Sequence, residues 1–129
     1  MTDDYLTKRI KAEATKTARF FNRVNFEQCT PLTEDFLDLP RTPGIYAIKT
    51  KAGEILYIGS STNVRRRFCN GHQTLQRMLI HGYLAADLGI ALVLITPALL
   101  PVLVPIENQV IFVFQPSYNK YIPSLGSQP

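Results

Sequence analysis

The chain has 129 residues, 46% of them hydrophobic and 19% charged, with a formal net charge of +4. That is one domain's worth of sequence with enough apolar content for a core, which excludes general disorder and two independent cores. The charge is uneven: residues 1–38 carry six Lys/Arg against seven Asp/Glu, whereas residues 39–129 carry eight against Glu54, Asp87 and Glu107.

In chain order, Leu6, Ile10, Ala14, Ala18 and Phe21 recur on one face and predict an amphipathic helix over 4–22, capped by Thr2 or Asp3. A connector from Thr30 to Pro43 follows, with Pro31, Pro40 and Pro43, and with Phe36 and Leu37 as anchors. The composition shift sets residues 1–38 apart as a helical appendage and connector. It leaves 39–125 as the main domain, whose basic balance suits a phosphate-rich ligand.

Ile45–Lys49 and Ile55–Gly59 are β-branched and aromatic runs around a four-residue loop, Thr50-Lys51-Ala52-Gly53. That loop predicts Lys49 opposite Glu54, and hence Tyr46 directly opposite Tyr57 on one face of a hairpin. Ser60 to Asn63 offer N-caps for a helix through about Cys69, stopped by Asn70-Gly71. With Val64 and Phe68 facing the sheet, Arg66 points outward, and either Arg65 or Arg67 could reach a site beside the hairpin. A second helix is predicted from Gln73 to about Leu84, with Leu75, Met78, Leu79 and Tyr83 as its apolar face.

Leu88 to Ile106 runs nineteen residues without a charge, close to the length of a bilayer span. Pro97, Pro101 and Pro105 break it as a helix, so it is read as a buried strand, Ala91–Thr96, with a proline-punctuated connection. No membrane span is expected. The last helix, Ile106–Phe114, has Pro105 where a missing N–H is harmless and ends before Gln115-Pro116. It is apolar all round and needs cover, from the N-terminal helix or from a second copy of the chain. Cys29 and Cys69 stand apart with no CxxC pairing, and no signal-like segment opens the chain. Both features fit a cytoplasmic, reducing environment.

Gly44-Ile45-Tyr46, ten intervening residues and Tyr57-Ile58-Gly59 resemble the signature of the GIY-YIG nuclease family. So do Arg67, eight residues past the second glycine, and the tail from Glu107 to Pro116-Ser117-Tyr118-Asn119. The resemblance implies an α/β (α+β) fold, a small three-stranded antiparallel sheet flanked by helices, here with an extra N-terminal helix. It also implies hydrolysis of phosphodiester bonds with one divalent metal, Mg²⁺ or Mn²⁺. By that analogy Tyr46 is the general base, Tyr57 a second phenol and Glu107 the metal ligand. Arg67 grips the phosphate and supplies positive charge, and Asn119 orients a site group or a backbone. Gly59, Ser60, Arg65 and Arg66 are candidate substrate contacts.

The family often carries a histidine four residues after the arginine, where this chain has Gly71. His72 falls one residue late, and His81 is the other candidate. The expected substrate is DNA. With no helix-turn-helix or zinc finger, cleavage is expected to be structure-selective, weakly sequence-preferring or directed by a targeting protein, in a monomer or homodimer. The competing expectation is a catalytically impaired nucleic-acid-binding module that keeps the fold.

Overall fold

The structure is a computed structural model and describes residues 2–120, with side chains from Asp4 onward. The elements are α1 (Thr2–Arg23), β1 (Thr30–Pro31), β2 (Gly44–Thr50), β3 (Ile55–Ser61), α2 (Val64–Cys69), α3 (Gln73–Ile80), β4 (Leu88–Leu94) and α4 (Leu103–Phe114). The side chains of Thr2 and Asp3, on which the expected cap rests, and the expected domain end at residue 125 lie outside what the structure describes.

The sheet is antiparallel, in the order β1-β4-β2-β3. The three-stranded core is as expected. A fourth strand comes from the connector, where Thr30 pairs with Ile90 and Pro31 with Gly89. Two residues are too few to show a period of two, and a proline is tolerated at a sheet edge.

The β2–β3 register differs from expectation. Thr50 N–H donates to Glu54 O at 2.8 Å and Gly53 N–H to Thr50 O at 2.9 Å, so the loop has three residues, with Gly53 at φ +97°. A bulge between Ile48 and Lys49 adds a second shift. Tyr46 therefore pairs with Gly59, and Tyr57 with Ile48. One shift would send Tyr57 to the other face, but two restore it. The tyrosines are diagonal neighbours, with ring centroids 6.2 Å apart.

β2 is buried along its whole length because helices cover both faces of the sheet. On one face Ile45, Ala47, Ile58 and Ala91 pack with Phe21 and Val24 from the N-terminal segment and with Ile106, Val110 and Ile111 of α4. On the other, Tyr46, Ile48, Leu56 and Ile90 pack with Val64 and Phe68 of α2 and Leu75 and Met78 of α3. The buried Lys49 ties α1 to the sheet, its Nζ donating to Phe21 O at 2.9 Å and Val24 O at 3.0 Å. It thereby occupies carbonyls at the helix C-terminus, where a cation is favoured.

Some expected packing is reassigned. The connector is anchored by fully buried Leu39 and by half-buried Phe36 against Phe68, whereas Leu37 is exposed. α3 ends at Ile80, with Gly82 at positive φ, and leaves Leu79 exposed. Pro97–Phe114 is apolar and long enough to cross a bilayer by length and composition. It folds as a 3-10 stretch, Pro97–Val102, followed by α4, whose 12 residues rise roughly 18 Å.

Candidate active site

β3 is an edge strand, so groups from both layers reach around it. From the α2/α3 layer come Tyr46, Tyr57 and His72. α4 supplies Glu107 from the other side.

His72 is the N-cap of α3. Its Nδ1 accepts the Leu75 N–H at 3.2 Å, and its Nε2 lies 2.7 Å from Tyr46 Oη. The imidazole is 2% exposed and stacks on Phe68, with centroids 4.7 Å apart. Burial and the nearby Arg67 charge pull its pKa down to about 4, so the ring is neutral at pH 7. With Nδ1 accepting a backbone proton, the ring proton sits on Nε2 and is donated to Tyr46. The Tyr46 hydroxyl proton is left free for another acceptor. The late position of His72 in the sequence thus does not separate it from the tyrosines. Gly71, at positive φ, turns the chain between the two helices and returns the imidazole to the site.

Gly59 faces this pair. A Cβ there would lie 2.6 Å from Tyr46 Oη and 2.8 Å from Tyr57 Cε2, so only glycine leaves room for both rings. The absence of a side chain there admits the two tyrosine rings.

Burial raises the pKa of both phenols. The Tyr57 group and the Glu107 carboxylate raise Tyr46 further, whereas Arg67 pulls it down. For Tyr57 the Glu107 charge adds to burial, and Arg67 and Arg77 oppose it. Glu107 is half-buried, and its desolvated carboxyl is pushed up, against a hydrogen bond from Ser60 Oγ to its Oε1 at 2.9 Å. Ser60 therefore orients Glu107. Glu107 is the fifth residue of α4, past the first turn, so attraction to the helix N-terminus does not explain it.

Asn119 acts on the backbone. Its Oδ1 accepts the Ile58 N–H at 3.0 Å and its Nδ2 donates to Ile58 O at 2.9 Å, the pairing a further strand would make. Together with Tyr118 N–H to Leu56 O at 2.9 Å, this covers the outer edge of β3. Tyr57, Thr74, Glu107, Asn108, Ile111, Tyr118, Asn119 and Lys120 line a cleft of about 330 Å³.

Two candidate substrate contacts lie elsewhere. Arg65 donates to Leu39 O at 2.7 Å and Leu37 O at 2.9 Å and so pins the connector. Arg65 and the exposed Arg66 line a separate hollow with Arg41, Asn63 and Cys69. Helix phase places Arg65 and Arg67 on opposite flanks, and it is Arg67 whose charge acts on both tyrosines. His81 also stays apart from Tyr46, with its Nδ1 2.7 Å from Tyr118 Oη. Thr74, Asn108, Tyr118 and Lys120 were not singled out as site residues from sequence. The predicted start and apolar face of α3 set its phase, but that Thr74 meets the cleft follows only from how α3 packs beside Tyr57.

Residues 42–84 match the family model of the GIY-YIG catalytic domain. The chain is 37% identical over 92 residues to UvrABC system protein C of Chlorobium chlorochromatii, a match over 68% of this chain and 14% of that protein. It is 34% identical over 85 residues to the protein of the same name from Chlorobium phaeobacteroides, over 63% of this chain and 13% of that one. The chain thus spans about one seventh of the length of these curated relatives. Among solved structures, the GIY-YIG N-terminal endonuclease domain of UvrC from Thermotoga maritima aligns over 68% of this chain and 99% of its own. The TM-score is 0.50 at 23% identity, for a form bound to magnesium as its catalytic divalent cation. A point mutant of that domain aligns with TM-score 0.52 at 21% identity, over 70% of this chain and 100% of its own. The shared feature at these identities is the fold.

Proposed function

The chain carries a GIY-YIG domain, and from that premise we propose that it is a metal-dependent endonuclease hydrolysing phosphodiester bonds in DNA. The observation that carries this reading is the bonded His72–Tyr46 pair beside Tyr57, with a Ser60-held Glu107 reaching the same strand from the opposite layer.

In this reading a strand lies in the cleft with its phosphate near Tyr57 and Glu107. Tyr46 acts as the phenolate, its hydroxyl proton having passed to solvent. Its Oη takes the proton of the attacking water and returns to the neutral phenol. His72 Nε2–H, already donated to that oxygen, stabilises the phenolate before the transfer. Arg67 offsets the negative charge that collects on the phosphate and the phenols. Tyr57 positions the water or the phosphate. Ser60 and Asn119 hold Glu107 and β3 in place.

The donor set fits a hard cation. A single half-buried carboxylate suits Mg²⁺, which keeps most of its waters. Among the described residues no three His, Cys, Asp or Glu side chains cluster as a closed zinc site would need. Held by Glu107, such a cation would supply charge neutralisation at the phosphate. It would also relieve the desolvated carboxylate and oppose the forces that raise both phenols.

We assign this activity to an intracellular setting, which the free thiols Cys29 and Cys69 fit. Selection among DNAs then rests on strand shape or on a targeting protein. The test is purified protein with Mg²⁺ and Mn²⁺ on branched, flapped, nicked and plain DNAs. Cleavage of at least one is expected, and Glu107→Gln should reduce it by about a hundredfold or more with the fold intact. Unchanged metal-dependent cleavage by Glu107→Gln would overturn the role given to that carboxylate.

A further inference from the structure

α3 has a polar face as well as the apolar one formed by Leu75 and Met78. Starting from the His72 cap, Thr74, Arg77 and His81 follow at spacings of three and four, so they stack on one side. Thr74 lines the cleft beside Tyr57 and Glu107. His81 bonds to Tyr118 Oη. Arg77 sits between them, with its Cζ 5.6 Å from the centroid of the Tyr118 ring.

The surroundings of Arg77 are unusual for a half-buried arginine. Its Nε is fully buried and has no hydrogen-bond partner. Two ion pairs are present among the described residues, Lys8–Asp4 and Arg9–Glu13, and neither involves Arg77. A buried donor left unmade costs on the order of 1–3 kcal/mol, and because this Nε is closed to solvent, a ligand would meet the outer nitrogens of the fork instead. Tyr118, fixed by its backbone bond to Leu56 and its hydroxyl bond to His81, supplies a rigid shelf for the planar guanidinium. Tyr57 senses the charge of both Arg67 and Arg77, so the two arginines lie near one phenol.

We propose that Arg77, beside the cleft and against its Tyr118 wall, is a second phosphate-binding arginine, gripping the backbone phosphate next to the scissile one on the α3 side. The assignment rests on the nuclease reading. It adds that the strand runs from Glu107 along Tyr118 towards α3, and that the Tyr118 ring is a shelf for the guanidinium as well as part of the edge cover. Arg77 is here a substrate-binding group, with no part in moving the water's proton.

The test compares wild type, Arg77→Gln and Arg77→Lys in steady-state cleavage. DNA binding is measured across a salt series in the non-cleaving Glu107→Gln background. Arg77→Gln should raise KM about tenfold, change kcat less than about threefold, and reduce the salt slope of log Kd by about one phosphate contact, 0.7–0.9. Arg77→Lys should keep the salt slope but raise KM severalfold, because it retains the charge and loses the fork. That second variant decides the matter if Arg77→Gln does not fold. Active wild-type protein whose KM and salt slope are untouched by either substitution would overturn the assignment and leave the nuclease reading standing. Wild-type protein that neither binds nor cuts DNA overturns both.

Discussion

His72 joins folding to chemistry within one ring. Nδ1 caps α3 and Nε2 holds Tyr46, so the two roles are separable by substitution. Asparagine is also a good N-cap, and His72→Asn should stay within about 1 kcal/mol of wild type in stability while losing the bond to Tyr46. Cleavage should fall about ten- to a hundredfold. His72→Ala should lose activity similarly and about 1 kcal/mol more stability, measured by urea unfolding. Equal activity in His72→Asn would show that the ring serves α3 alone. The acid limb follows from the same ring. Its folded pKa of about 4 lies below its unfolded value of 6.5, so the unfolded chain binds the extra proton between those values. Stability from this group is full above pH 6.5 and is lost as pH falls towards 4. A melting-temperature profile should show that loss, and His72→Asn should flatten it. At this scale the motif and its spacing marked Tyr46, Tyr57, Arg67, Glu107 and His72 as candidates, and only the turn at Asn70-Gly71 between two helices shows how the His72 ring meets Tyr46.

Elements were legible where a period was long enough to read. α1, β2, β3, β4 and α4 all stand close to where the apolar pattern puts them. β1 has two residues and no period, and the hairpin register depended on the hydrogen bonds of Thr50 and a bulge that leave no mark on the pattern. The least legible element contact is that between Lys49 and α1. A lysine in a strand next to a loop reads as solvent-facing, yet this one is 3% exposed and makes its bonds to Phe21 and Val24 carbonyls. Lys49→Met keeps the stem volume and removes the donor from two acceptors. It should cost about 1–3 kcal/mol and speed hydrogen exchange at the C-terminal turn of α1. Unchanged exchange there would mean that α1 is held by its apolar contacts alone.

Across the whole molecule, two layers meet at the β3 edge, and the proposed chemistry needs both. The division near residue 38 followed charge, which marks surfaces, whereas packing unites the two parts: Phe21 and Val24 share a core with Ile106, Val110 and Ile111. α1 covers one flank of the apolar α4, while Val104 and Val113 on that helix remain open. Because α4 carries Glu107, α1 is expected to steer the carboxylate as well as to shield the helix. Phe21→Ala would empty a site that is 0% exposed and cost about 3–5 kcal/mol, a large share of the stability of a domain this size. At a temperature where the variant stays folded, α4 would be less firmly placed against β3, and the Ser60–Glu107 bond would hold a smaller fraction of the time. The Mg²⁺ concentration for half-maximal cleavage should then rise severalfold, with KM for DNA changing much less. A lower melting temperature with an unchanged Mg²⁺ requirement would show instead that α1 stabilises the core without setting the position of Glu107. Measuring the two quantities on one variant separates a helix that only covers its neighbour from one that places the carboxylate.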